Sequence, residues 1–301
     1  MQERPKRKDK DQRNMGFSRR DFVNVVLLGL DGFLLTVMLT TFETDQERAR
    51  RIGEKYKEAG GTPTPSPEWK KSEEILRNSL VKFGYSNELV DNTRFMWSVL
   101  GSAGLIDGEA IGRPDIILTS TARHTVLRED GASQFQNKTL AMANMIKGIY
   151  CMVPRDKFVV VPSSYIDAAL IAFKKENALA DANFFEGLIT KVEDRWPQPD
   201  SVIVGGYNPS FQEGVGQDIP AITYAKNEYF KDNFVSEVYQ FSGEGQAPGS
   251  SGGPVLDKNG HLVGIQIAGS PLLPIFLQDV LYITPFSDFE ELSEIAVSEL
   301  G

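Results

Sequence analysis

The chain begins with a basic, polar stretch over residues 1–21 and then turns sharply apolar. Residues 22–42 read FVNVVLLGLDGFLLTVMLTTF, with fourteen Leu, Val, Phe and Met in that run. As a helix the run spans about 31 Å at about 1.5 Å per residue, enough to cross the apolar layer of a bilayer. Asp31 near its middle opposes insertion by about 2.5–3.5 kcal/mol, and each large apolar residue returns about 0.3–0.6 kcal/mol. With charged flanks on both sides, the pattern predicts a transmembrane helix rather than a buried soluble one.

Residues 43–94 change texture again. A charged segment, ETDQERARRIGEKYKEA, leads to the breaker GGTPTPSP, which reads as a spacer. Ser66 before Pro67 has the form of a helix start, with Ser at the N-cap and Pro at the first helical position. Ile75, Leu76, Leu80 and Val81 then make the apolar face of a short helix. From residue 95 onward the apolar runs become short and rich in β-formers: FMWSVLG, DIILTST, KFVVVP, ALIAF, SVIVGGY and HLVGIQIA. Gly, Pro, Asn and Asp clusters separate them, which predicts an all-β sandwich or barrel arrangement over 95–301. No internal repeat of fixed period is present.

Composition sharpens this picture. With 41% hydrophobic and 24% charged residues the chain is globular rather than disordered, and its net charge of -9 argues against a general nucleic-acid binder. The charge is uneven: residues 1–20 hold eight Lys/Arg against three acids. A basic head before an apolar span stays in the cytoplasm, so 95–301 is expected on the outer, periplasmic or extracellular, side of the cell membrane. No small-residue cleavage site follows the span, so the reading is a retained single-pass anchor rather than a removed signal peptide. Cys151 is the only cysteine, which excludes an intramolecular disulfide and a zinc site built on several thiolates. His124 and His261 are the only histidines available for catalysis.

The segment PGSSGGPVLDKNGHLVGI carries the sharpest chemical signal. Ser251 stands in a Gly-x-Ser-Gly-Gly-Pro turn, flanked by residues without side-chain bulk, so a substrate carbonyl can approach and backbone N–H groups can face it. Ser251 is the candidate nucleophile, and the N–H groups of Gly249 and Ser251 are the candidate oxyanion hole. A serine hydroxyl is a weak nucleophile at neutral pH and needs a base. His124, just after the apolar run DIILTST, is the better candidate, because His261 follows Asn259-Gly260, a hairpin signal that accounts for it without chemistry. Asp167, directly before ALIAF, is the candidate carboxylate to orient the imidazole.

The order His124, Asp167, Ser251 resembles that of trypsin-like serine peptidases of the chymotrypsin fold, in the disulfide-free style of bacterial envelope proteases. LIDGEAIGRPDIILTSTARHTV is similar to the first-barrel hairpin that ends in the histidine, DAALIAF to the aspartate strand, SVIVGGYNPS to a second-barrel strand, and PGSSGGPVLDKNGHLVGIQIAG to the serine loop and following hairpin. DVLYITPFSDFEELSEI resembles the closing strand and C-terminal helix. The resemblance implies an all-β domain of two antiparallel six-stranded β-barrels with a C-terminal helix, here preceded by the transmembrane helix. It implies hydrolysis of a protein or peptide substrate through an acyl-enzyme, with Ser251 attacking, His124 moving the proton and Asp167 orienting His124, and with neither metal nor cofactor. The pocket walls it implies include Gly245 on one side and Ile267, Ala268 and Gly269 on the other, with preference for a small or medium apolar residue unless Glu244 alters it. SRRDF at 18–22 also resembles the twin-arginine export motif, which implies passage through that export machinery as a folded protein.

Two departures stand out. Arg123 precedes the histidine where the family has a small residue, and Ser250 stands where trypsin keeps an aspartate for a freshly cleaved N-terminus. Arg123 motivates an alternative reading, a membrane-held binding or scaffold protein that keeps the fold without activity. A second alternative uses the Gly-x-Ser-x-Gly pattern of α/β-hydrolases, but that fold places its histidine after the serine, where only His261 is found.

Overall fold

The computed structural model describes residues 67–86, 97–128, 130–193, 201–212, 215–226, 239–242, 249–269 and 280–301, all within the compact unit Glu43–Gly301. The basic head, the apolar run at 22–42 and Gly245 lie outside them. Among the described residues no helix is long and apolar enough to cross a membrane.

Helix α1 (Lys70–Ser79) starts behind Trp69 at its N-cap, later than the Ser66-Pro67 pattern predicts. It buries Leu76 and ends where Leu80 turns extended. Leu80 and Val81, expected on the face of that helix, instead open strand β1 (Leu80–Ser86). β1 is an inner strand of its sheet. Val81, Phe83 and Tyr85 suit a strand, and Gly84 weakens any helix through it. A Cβ on Gly84 would overlap the Ser98 carbonyl, so only glycine fits where β1 meets its neighbour.

The first half continues with β2 (Ser98–Asp107), β3 (Ile116–Thr121), the one-turn helix α2 (Arg123–Val126), β4 (Thr139–Asn144), β5 (Ile149–Val153), β6 (Phe158–Pro162), β7 (Ala169–Lys174) and β8 (Leu179–Ala180). These strands form one eight-stranded sheet in the order β6-β7-β3-β2-β1-β4-β5-β8. The expected six-stranded barrel is thus replaced by a longer sheet, in which β1 bonds β2 on one side and β4 on the other and the short β8 is added at an edge. The second half, β9 (Ser201–Gln212), β10 (Val215–Lys226), β11 (Tyr239–Ser242), β12 (Pro254–Leu256), β13 (Leu262–Gly269) and β14 (Val280–Pro285), closes into a six-stranded barrel as expected. Helix α3 (Phe289–Leu300) ends the chain against β6 and β7. Every named strand pairs antiparallel, which removes the parallel sheet that an α/β-hydrolase requires.

Side-chain alternation decides where the core lies. On β7, Ala169, Ile171 and Phe173 face the interior of the first sheet with Val81, Phe83 and Leu140. Leu170 and Ala172 face the other way, into a cluster with Leu76, Ile203, Leu256, Leu262, Phe286 and Phe289. That second cluster packs the two halves and both long helices together. Because β7 is buried on both faces, ALIAF is continuously apolar, and the loops at its start are held by core on either side.

Candidate active site

His124 is placed by the end of β3. Ala122 leaves the strand extended and α2 begins at Arg123, so the N–H of His124 lies in a first helical turn and lacks an intrahelical partner. Asp167 supplies it. One carboxylate oxygen accepts from the His124 backbone N–H at 3.0 Å, and the other lies 2.7 Å from the imidazole Nδ1. The ring is held at both points, and among the described residues no hydrogen bond reaches its Nε2. Burial raises the Asp167 carboxyl, but the hydrogen bonds and charge of His124, with that of Arg123, outweigh it and hold it below its ordinary value near 3.8. The side chains keep 48% and 28% of their surface open, so the pair is accessible from solvent.

The serine loop reaches this turn through glycines. Gly249 and Gly252 have φ of 103° and 90°, in the region that favours glycine. A Cβ on Gly252 would overlap the Ser102 carbonyl oxygen and the Thr121 hydroxyl, the residue that ends β3 two places before Arg123. We expect Gly252→Ala to destabilise the protein by about 2–4 kcal/mol, from positive φ and overpacking together. A urea melt checks this, and wild-type stability in the variant would contradict the packing described.

Ser102 on β2 ties the loop down. Its N–H donates to the Ser251 carbonyl at 2.9 Å, and its hydroxyl donates to the Gly249 carbonyl at 2.8 Å while accepting from the Tyr207 N–H at 2.9 Å. On the other side Gln266 accepts from the Gly252 N–H, donates its own N–H to the Gly253 carbonyl, and donates from Nε2 to the buried Ser250 hydroxyl at 2.9 Å. Ser250 is thus buried and partnered. Ser102 and Gln266 are site residues that the catalytic motifs do not name. The run Gly101-Ser102-Ala103-Gly104 was a signal, since small residues in a strand mark close approach. A Cβ on Gly101 would lie 2.7 Å from the Ser251 carbonyl and 3.3 Å from a Thr125 methyl, which sets the serine loop beside α2.

The Ser251 hydroxyl donates to the Ile267 carbonyl at 3.1 Å, and among the described residues no hydrogen bond joins it to His124. Ile267 sits at a break in register between Gln266 and Ala268, where β13 passes β14, and such bulges re-aim groups beside sites. Ala268 and Gly269 follow it opposite Tyr282 and Leu281. Among the described residues the N–H groups of Gly249 and Ser251 donate no hydrogen bond. His261 caps the hairpin instead: its N–H donates to Asp257 and its ring lies 3.2 Å from Glu193. The Arg123 guanidinium donates to the Ser163 carbonyl at 3.0 Å. No group of His, Cys, Asp and Glu among the described residues is placed to hold a metal ion.

No family model matches the chain, and no curated protein sequence matches it. Among solved structures it is similar to the HtrA-type protease AlgW with a decapeptide, at 16% identity over 78% of this chain and 69% of that one, with a TM-score of 0.46. It is similar to the Rv3671c protease from M. tuberculosis in its active form, at 16% identity over 80% and 89% of the two chains, TM-score 0.42. The inactive form of that protease gives 15% identity, 80% and 98%, and 0.40.

Proposed function

We propose that this chain is a serine endopeptidase that cleaves peptide bonds through an acyl-enzyme, with His124, Asp167 and Ser251 as its triad. The observation that supports the reading is the two-point hold of Asp167 on His124, which engages the backbone N–H and Nδ1 and so leaves Nε2 to act as the proton acceptor in this mechanism. When a substrate carbonyl enters, the Ser251 hydroxyl turns from Ile267 to the imidazole. Its oxygen attacks, His124 takes the proton, and the N–H groups of Gly249 and Ser251 receive the developing oxyanion. His124 then returns the proton to the leaving amine, and water repeats the sequence to release the acid. Gly245, Ile267, Ala268 and Gly269 wall the pocket in this reading, and residues 22–42 hold the chain at a membrane with the peptidase on the outer side.

The resting bond from Ser251 to Ile267 supports a second reading, a protease-fold binding or scaffold protein in which the serine is never activated. Incubation of the purified full-length chain with casein separates the two. The peptidase reading expects fragments that appear with time and are absent after treatment with a serine-directed inhibitor; intact casein at high enzyme concentration favours the scaffold.

A further inference from the structure

The loop that carries Asp167 is closed on itself. The Ser163 N–H donates to the Ala168 carbonyl at 2.9 Å, and the Ser163 hydroxyl accepts from the N–H groups of Tyr165 and Ile166 at 3.1 Å each. These bonds tie the turn to the two ends of the loop. Asp167 near its end is bonded to His124, and the Ser163 carbonyl at its start is bonded to the guanidinium of Arg123, the residue directly before His124. Two adjacent residues of α2 therefore grip the two ends of one loop.

The Asp167 carboxylate meets His124 at two atoms near one end of this loop, and the Arg123 bond adds a tie at its other end. The geometry points to Arg123 as a positioning residue that locks the Asp167 loop onto α2, so that the carboxylate meets Nδ1 in line. This inference rests on the peptidase reading above, and it turns the departure from the family pattern into part of the site. Arg123 touches neither the imidazole nor the serine by any hydrogen bond among the described residues, so it acts through Asp167.

The test is the second-order rate at which diisopropyl fluorophosphate inactivates full-length wild type, Arg123→Ala, Arg123→Lys, Asp167→Asn and the double variant Arg123→Ala/Asp167→Asn. Arg123→Ala is expected to slow inactivation about 10- to 100-fold, the scale of a misplaced catalytic group. Arg123→Lys, whose ammonium can donate to the same carbonyl, is expected within about threefold of wild type. In the Asp167→Asn background the Arg123→Ala change is expected to cost less than about twofold, because its target is already gone. Equal rates for wild type and Arg123→Ala, the same fractional loss in both backgrounds, or a Lys variant as slow as the Ala variant overturns the inference. If wild type does not react at all, the peptidase reading fails separately, and the grip is then judged by nuclear magnetic resonance of the His124 Nδ1–H. A hydrogen-bonded, downfield proton in wild type and Arg123→Lys that is lost in Arg123→Ala upholds it; a signal indifferent to Arg123, or missing from wild type, overturns it.

Discussion

Ser251→Ala is expected to lower the rate of peptide hydrolysis by about 10⁶-fold, while the variant unfolds at the same urea concentration as wild type. The side chain is only partly buried and its one hydrogen bond among the described residues runs to the Ile267 carbonyl, so stability loses little. The chemistry loses its nucleophile entirely. His124→Ala is expected to cost about as much, and the double variant no more than either single one, because nucleophile and base act as one unit. Steady-state hydrolysis of a peptide substrate at enzyme levels high enough to see a residual rate checks this. Two losses that multiply would mean that His124 and Ser251 act independently.

Asp167→Asn is expected to lower turnover by about 10⁴-fold. An amide at this position can offer its NH₂ to Nδ1, which favours the tautomer with the proton on Nε2, where the serine proton must go. The same carboxylate contributes to stability with a defined sign. Its value in the fold lies below the ordinary 3.8, so the ionised form stabilises the fold: the contribution is fully present above about pH 4 and is lost as pH falls through the lowered value. Wild type and Asp167→Asn should therefore differ in unfolding free energy at pH 6 and converge as the pH is taken below 4. Divergence toward acid would contradict the assignment.

Much of this arrangement was legible along the chain for physical reasons that can be named. IILTST and ALIAF lie in strands buried along their length, with His124 just after the first and Asp167 just before the second. The glycines around Ser251 announce a tight turn, and positive φ at Gly249 and Gly252 is what they are for. The strand Leu80–Ser86 was hidden because it follows α1 without a breaker, and its apolar positions continue the helical spacing until Gly84. Strand β10 was hidden by its polar residues and Pro220, which ordinarily argue against a strand. The ties that assemble the site were beyond any local pattern. Ser102 and Gly249 lie 147 positions apart, Arg123 and Ser163 lie 40 apart, and only the fold brings each pair to hydrogen-bond distance.

The most direct measurement is the site of covalent reaction. Full-length protein is treated with a fluorophosphonate and digested, and the adduct is mapped by mass spectrometry, with His124→Ala treated alongside. The account predicts one adduct, on the peptide containing Ser251, which disappears in His124→Ala. A folded wild-type protein that carries no adduct, or one whose labelling at Ser251 persists without His124, would contradict an activated serine.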